Sequence, residues 1–214
     1  CGPNNFAMPD GWPGEKAGSV GVPGMHVDAR VVDDDGRERE RGAVGELELA
    51  SPHAADRYWR NPEESAATFG ARDGANSDDD DDAGDDARAW VSTGDLARVD
   101  ADGYVHVEGR KKEMFVSGGE NVYPAAVEDV LSKHAKVDDV VVIPVSDDTW
   151  GEVGKAVVEG DETLSLEDLE AFCDGKLARF KVPKHLAFVD EMPTSGPSKI
   201  DRGAVEDRFG DGGE

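Results

Sequence analysis

Apolar positions in this chain fall into short periodic runs separated by polar turns, and the period changes partway along. Met25, Val27, Ala29 and Val31 alternate with other residues, the two-residue period of a strand over 25–32. Asp33-Asp34-Asp35-Gly36 then reads as a turn. A second strand is predicted over 44–50, with Leu47 and Leu49 on one side. Residues 52–69 carry Tyr58, Trp59 and Phe69, and Asn61-Pro62 is a start signal for a short helix. The pattern breaks over 71–89 and resumes at Trp90. Asp100-Ala101-Asp102-Gly103 reads as a turn, 104–108 and 114–116 as strands, and Ser117-Gly118-Gly119 as a flexible loop.

From Pro124 onward helical periods enter. Pro124 suits a first helical position. Val127, Val130 and Leu131 line one face, with Glu128, Asp129 and Lys133 placed elsewhere on the wheel. Residues 140–143 form a continuous apolar strand and 153–158 a further one. Ser165-Leu166-Glu167-Asp168 resembles a capping box with Asp in place of Glu. Leu166, Leu169, Cys173 and Leu177 give the helix behind it a buried stripe. A last strand is expected over 186–189 and a last short helix over 201–209. The fold class that follows is α+β: a β-rich piece over 1–110, a small α+β domain over 111–209, and a tail over 210–214.

Composition sharpens this picture. Only 37% of residues are apolar, and 48 Asp and Glu against 23 Lys and Arg give a formal net charge of -25. The carboxylates sit between the apolar runs and opposite them, which predicts a folded protein with an acid-coated surface rather than a disordered chain. The run Asp78-Asp79-Asp80-Asp81-Asp82 lacks a defined cation-ligand spacing, so 71–89 is expected to be an exposed, disordered loop. Such a surface repels phosphates, which sets aside nucleic acid and anionic membrane as partners. It also suits a salt-loving (halophilic) cytoplasm, where counterions screen self-repulsion. If so, melting temperature should climb from low to multimolar KCl, and equal stability throughout would sink the idea. Cys1 and Cys173 are not expected to pair. No apolar run approaches the roughly 20 residues needed for a membrane span, and no signal peptide is seen in the first residues, so the default compartment is the cytoplasm. The opening Cys1-Gly2-Pro3-Asn4-Asn5 is that expected of the middle of a longer protein.

Candidate chemistry is densest over 92–124. Ser92-Thr93-Gly94-Asp95 offers an Asp after a Gly in a tight turn, able to present a carboxylate to vicinal hydroxyls. Arg110, in Gly109-Arg110-Lys111-Lys112, can supply the complementary donors. Gly118-Gly119 allows a ligand to approach the backbone closely. His26, His53, His106, His134 and His185 form no metal-ligand spacing, and His106 reads as a satisfied structural residue in a strand.

Together with Val44-Gly45-Glu46-Leu47, Tyr58-Trp59, Asn61-Pro62-Glu63, Asp102-Gly103-Tyr104, the run from Ser117 to Pro124, Trp150-Gly151-Glu152 and Pro197-Ser198-Lys199, these motifs closely resemble the adenylate-forming superfamily. That superfamily comprises acyl-CoA synthetases, luciferases and peptide-synthetase adenylation domains, and the resemblance covers 1–209 in the family's order. It implies that Asp95 accepts hydrogen bonds from the ribose hydroxyls of ATP and of the acyl-AMP, with Arg110 as second nucleotide contact. Lys112 would be the hinge between a large and a small domain. Lys199 would be the catalytic lysine of the adenylation step, although the family's Thr-Gly-Lys-like approach is here Pro-Ser-Lys. Gly118 and Gly119 would pass the pantetheine arm of CoA, and Mg²⁺ would offset the phosphate charge. The family's phosphate loop and most of its acyl pocket are absent. The resemblance therefore implies the C-terminal portion of an ATP-dependent acyl-CoA synthetase, acting on a carboxylic and in first place a fatty acid. It would depend on a missing N-terminal portion and be inactive alone. The alternatives are an adenylation domain that loads a carrier protein and an inactive remnant.

Overall fold

The structure is a computed structural model that describes residues 5–55, 57–69, 90–196 and 199–210. The predicted acidic loop, Cys1, Pro197, Ser198 and the last four residues lie outside the described residues. The chain divides into two compact units, Cys1–Lys111 and Lys112–Glu214, and its architecture is α+β.

The first unit is built from β1 (Phe6–Ala7), β2 (Val22–Pro23), β3 (Asp28–Val32), β4 (Gly45–Ala50), helix α1 (Pro62–Thr68), β5 (Trp90–Val99) and β6 (Val105–Arg110). Strands β3 to β6 form an antiparallel sheet in sequence order, and β1 pairs with β2. Register puts Val31 opposite Leu47 and Ala29 opposite Leu49. These join Ala97 and Val105 in one apolar cluster, with Phe6, Val27 and Val99 packed against it. Burying each Val or Leu side chain contributes about 1.5–3 kcal/mol. The strand predicted over 25–32 is β3, and it starts at Asp28, later than the alternation indicates. Residues 24–27 form a turn closed by the Val27 N–H on the Gly24 carbonyl at 3.1 Å, which leaves Met25 85% exposed. Helix α1 starts where Asn61-Pro62 indicates, and the Asn61 side chain accepts from the Glu64 N–H at 3.2 Å.

The second unit contains β7 (Phe115–Ser117), β8 (Glu120–Val122), α2 (Pro124–Leu131), β9 (Val137–Asp147), β10 (Gly151–Gly160), α3 (Leu166–Cys173), β11 (His185–Phe188) and α4 (Arg202–Phe209). Strand β10 pairs along its length with antiparallel β9 and, on its other edge, with parallel β11 and at Gly151 with β7. Side-chain alternation then splits the sheet into two faces. Val140, Val142, Ala156 and Val158 pack with Val127, Leu131, Leu169 and Cys173 of α2 and α3. Val141, Ile143 and Val157 pack with Val205 of α4. Burial on both faces explains why 140–143 reads as an unbroken apolar run. Helix α3 carries the full capping box, with the Ser165 hydroxyl and Asp168 carboxylate bonded to each other's backbone N–H groups. It ends at Cys173, so Leu177 contributes to the core from beyond the helix. No helix among the described residues is long and apolar enough to cross a membrane.

Candidate functional site

Asp95 and Arg110 meet across the β5–β6 ladder. They are register partners, and Arg110 Nη1 lies 3.0 Å from Asp95 Oδ1 and donates to the Thr93 carbonyl at 3.1 Å. The predicted tight turn at Thr93-Gly94-Asp95 is instead an interruption within β5. Glu46 pairs with Leu96 and Glu48 with Ser92, so three residues of β5 stand against the single residue Leu47. At this bulge one residue has left-handed backbone, and it is a glycine, Gly94, at φ 71°. The Thr93 hydroxyl pins it, donating to the Leu47 carbonyl at 2.8 Å and accepting from the Asp95 N–H at 3.1 Å. The bulge re-aims the Asp95 carboxylate toward a concavity of about 470 Å³, whose lining includes Tyr58, Phe69, Thr93, Val107 and Arg110.

The first unit ends on an ion cluster. Lys111 Nζ lies 2.9 Å from Glu46 and 3.0 Å from Asp34, and those carboxylates, Glu46 foremost, raise its pKa. Lys112, the predicted hinge, is exposed and is the first residue of the second unit. His106 accepts its structural reading, with Nε2 3.3 Å from Asp100 Oδ2. The Lys16 ammonium bonded to Asp100 holds that carboxyl well below the usual carboxylate range.

Gly118-Gly119 is a two-residue hairpin turn between β7 and β8 rather than a flexible loop. Ser117 and Glu120 are register partners, and both glycines have positive φ, 61° and 88°. That backbone matches the twist of paired strands and favours glycine at both positions. The Gly118 N–H donates to the Trp150 carbonyl at 2.9 Å. A Cβ on Gly118 would stand 2.4 Å from the Trp150 ring, whereas one on Gly119 meets nothing within 4 Å. Trp150 is itself held by Asp147, whose carboxylate accepts the Thr149 and Trp150 N–H groups at 2.8 Å each; those bonds lower the Asp147 pKa. Beside the turn lies a pocket of about 500 Å³ lined by Ser117, Trp150, Arg179, Phe180 and Lys184, with Lys184 Nζ 4.4 Å from the Trp150 ring. Sequence reading placed Trp150 in a motif but gave it no role, and passed over Arg179, Phe180 and Lys184. The half-exposed tryptophan after an acidic turn was the available signal.

Lys199 is exposed. It closes a loop whose ends are tied by the Ser195 N–H on the Lys199 carbonyl at 2.7 Å and by a bridge between Thr194 and Ile200. Among the described residues no group of three or more His, Cys, Asp and Glu is placed to hold a metal ion.

A second set of charges escaped the sequence reading. Helical periodicity set Glu128 off the apolar face of α2 and gave it no partner; its side chain is largely buried against Arg202 of α4 and accepts the Val142 N–H at 2.7 Å. Burial raises its pKa despite the arginine.

Residues 126–199 match the AMP-binding enzyme C-terminal domain. The chain is 41% identical over 198 residues to a feruloyl-CoA synthase of Amycolatopsis sp, covering 92% of this chain and 37% of that protein. Among solved structures it is similar to ATP-bound MatB from Rhodopseudomonas palustris, with 33% identity, a TM-score of 0.73 and coverage of 90% of this chain and 36% of that one. It is also similar to the o-succinylbenzoate CoA synthetase MenE from Bacillus subtilis in complex with its acyl-adenylate OSB-AMP, at 29% identity and a TM-score of 0.77, covering 90% of this chain and 36% of that one. The chain thus spans little more than a third of the length of these relatives.

Proposed function

From this chain's membership of the adenylate-forming superfamily, we propose that it forms the nucleotide-gripping edge and the mobile C-terminal domain of an AMP-forming acyl-CoA ligase. The observation that carries the reading is the Asp95–Arg110 pair, set by a glycine bulge at the lip of a concavity. A carboxylate there accepts from two vicinal ribose hydroxyls, and the guanidinium beside it fixes its direction.

In the first half-reaction an oxygen of the acid attacks the α-phosphorus of ATP, the bond to the β-phosphate breaks, and pyrophosphate leaves. Negative charge grows on the α-phosphate oxygens. The Lys199 ammonium, exposed on its loop, neutralises that charge better in the transition state than before it. Mg²⁺, arriving with ATP rather than on a metal group among the described residues, would offset phosphate charge in the same sense. In the second half-reaction the small unit turns about Lys112, and the Gly118-Gly119 turn replaces Lys199 at the acyl-AMP. The thiol sulfur of CoA attacks the acyl carbon and AMP leaves with the electron pair. The pocket of Trp150, Phe180, Arg179 and Lys184 has an aromatic wall and cationic rim that suit an anionic thiol carrier.

The acid is a fatty or aryl carboxylate, because Gly118-Gly119-Glu120-Asn121-Val122-Tyr123-Pro124 resembles the ligases of those acids. A panel of both classes ranks them. The deciding experiment is Lys199→Ala in the complete enzyme. Acyl-AMP formation should fall on the order of a hundredfold or more, while thioester formation from supplied acyl-AMP is spared. Equal loss of both steps refutes the assignment. Free CoA and a carrier protein offered in parallel identify the acceptor.

A further inference from the structure

Helix α4 begins three residues after Lys199 and holds the sheet by the fully buried Val205 and the half-buried Phe209. Polar bonds at its two ends fix it further. At the far end Lys155 Nζ donates to the Phe209 carbonyl at 2.9 Å. At the near end Arg202 reaches three elements together. Its Nη2 donates to Glu128 Oε1 of α2 at 2.6 Å and also engages Oε2. Its Nη1 donates to the Val142 carbonyl of β9 at 3.3 Å, and its Nε lies 3.2 Å from Glu113 Oε2. The three side chains are only 16–23% exposed. Glu113 is the residue after Lys112, at the start of this unit.

We propose that Arg202 is a positioning residue: through Glu128 and Glu113 it fixes the base of the Lys199 loop to the segment that leaves the pivot, so that the lysine travels as part of a rigid unit. This rests on the ligase reading. The chain between Arg202 and Lys199 transmits the restraint, because the Asp201 N–H donates to the Pro193 carbonyl at 2.8 Å and Asp201 caps α4 through the Ala204 N–H. A displacement of about 1 Å of a catalytic group costs on the order of a hundredfold in rate. Lysine cannot replace the guanidinium, which bonds two carboxylates and a carbonyl from one planar fork.

The first test needs no turnover. In the 214-residue chain, Arg202→Gln should speed amide hydrogen exchange at Ser195 and Asp201 about tenfold or more, with Val157 in the sheet core unchanged. Unchanged exchange at both amides overturns the proposal. Should Arg202→Gln loosen Val157 as well, Glu113→Gln, which leaves the Glu128 bond in place, decides in the same way: faster exchange at Ser195 and Asp201 over an unaltered Val157 supports the role, and no change there refutes it. In the complete enzyme Arg202→Gln should lower acyl-AMP formation by about tenfold to a hundredfold, with Arg202→Lys intermediate and thioester formation from supplied acyl-AMP within about threefold. Parallel loss of both steps assigns Arg202 a merely structural role and overturns the proposal. Lys199→Ala, run alongside, separates this failure from that of the ligase reading, and the exchange result stands independently of either.

Discussion

The two units present their chemistry on opposite kinds of support. In the first, Asp95 and Arg110 project from neighbouring strands of an antiparallel ladder, and the bulge that β5 makes against β4 beside Asp95 is pinned by a hydroxyl bonded on both sides. In the second, Lys199 is exposed, its carbonyl accepting the Ser195 N–H beside a bridge between Thr194 and Ile200, and Gly118-Gly119 forms a hairpin turn braced by one tryptophan. A ladder fixes a carboxylate to within the small play of its hydrogen bonds, which suits a group that must grip one nucleotide throughout a reaction. A loop and a turn on a separate compact unit suit groups that take turns at the same place. On the proposed ligase reading, rigidity in one unit and exchangeability in the other are what a two-step reaction asks of its parts.

Gly118→Val should break this comparison hardest. It places a β-branched side chain at φ 61° and its Cβ 2.4 Å from the Trp150 ring. The turn must open or the tryptophan must leave, and we expect thioester formation from supplied acyl-AMP to fall about a hundredfold. Gly119→Ala is the internal control. Its Cβ meets nothing, so only the positive φ is strained, at about 1–2 kcal/mol. Stopped-flow measurement of the second half-reaction ranks the pair, and equal effects would show that Trp150 does not matter.

Asp95→Asn sharpens the other side. The pair with Arg110 is part-exposed, 27% and 53%, so its loss should change stability by no more than about 1 kcal/mol. Hydrogen bonds to a charged acceptor are worth about 1.5–3 kcal/mol, so the KM for ATP should rise roughly tenfold to a hundredfold. A large fall in melting temperature with an unchanged KM would make Asp95 a structural residue.

Local signals were legible in the sequence; long-range ones were not. Asn61-Pro62 and the Ser165–Asp168 box start their helices because capping is settled within four residues. The apolar run at 140–143 announced a strand buried on both faces, though β9 extends well beyond it on both sides. Gly94 was read as a turn because a bulge exists only relative to a partner strand, and that partner, Leu47, lies 46 residues from the neighbouring Thr93. Glu128 was given no partner because periodicity cannot see an arginine 74 residues later. The residues around Trp150 were missed for the same reason: Arg179, Phe180 and Lys184 reach it only through the pairing of β10 with β11 and β7. Asp95, Arg110, Lys199 and the two glycines were singled out through the family resemblance, and spacing alone would have left them as turn residues.

The smallest expected effect concerns the brace behind the Trp150 turn. Asp147 is solvent-accessible, but its carboxylate accepts two backbone N–H groups that carry Trp150. Those bonds exist in the folded state and favour the ionised form, so the folded pKa lies below the unfolded one. The contribution is therefore fully present above the ordinary aspartate value near ~3.9 and is lost as pH falls through the depressed folded value. Asp161 and Asp168, also bonded to backbone N–H groups, carry the same sign in this unit, whereas the buried Glu128 runs the other way. Asp147→Asn should melt below the parent at neutral pH, and the gap should close as pH drops below ~4. The variant's neutral side chain has no proton to gain there, so the parent alone loses ground. Calorimetry at pH 7 and on descending through that range measures the gap. A gap of constant size would mean that the Trp150 turn draws its stability from contacts other than the Asp147 charge, and that the tryptophan wall stands without its acidic brace.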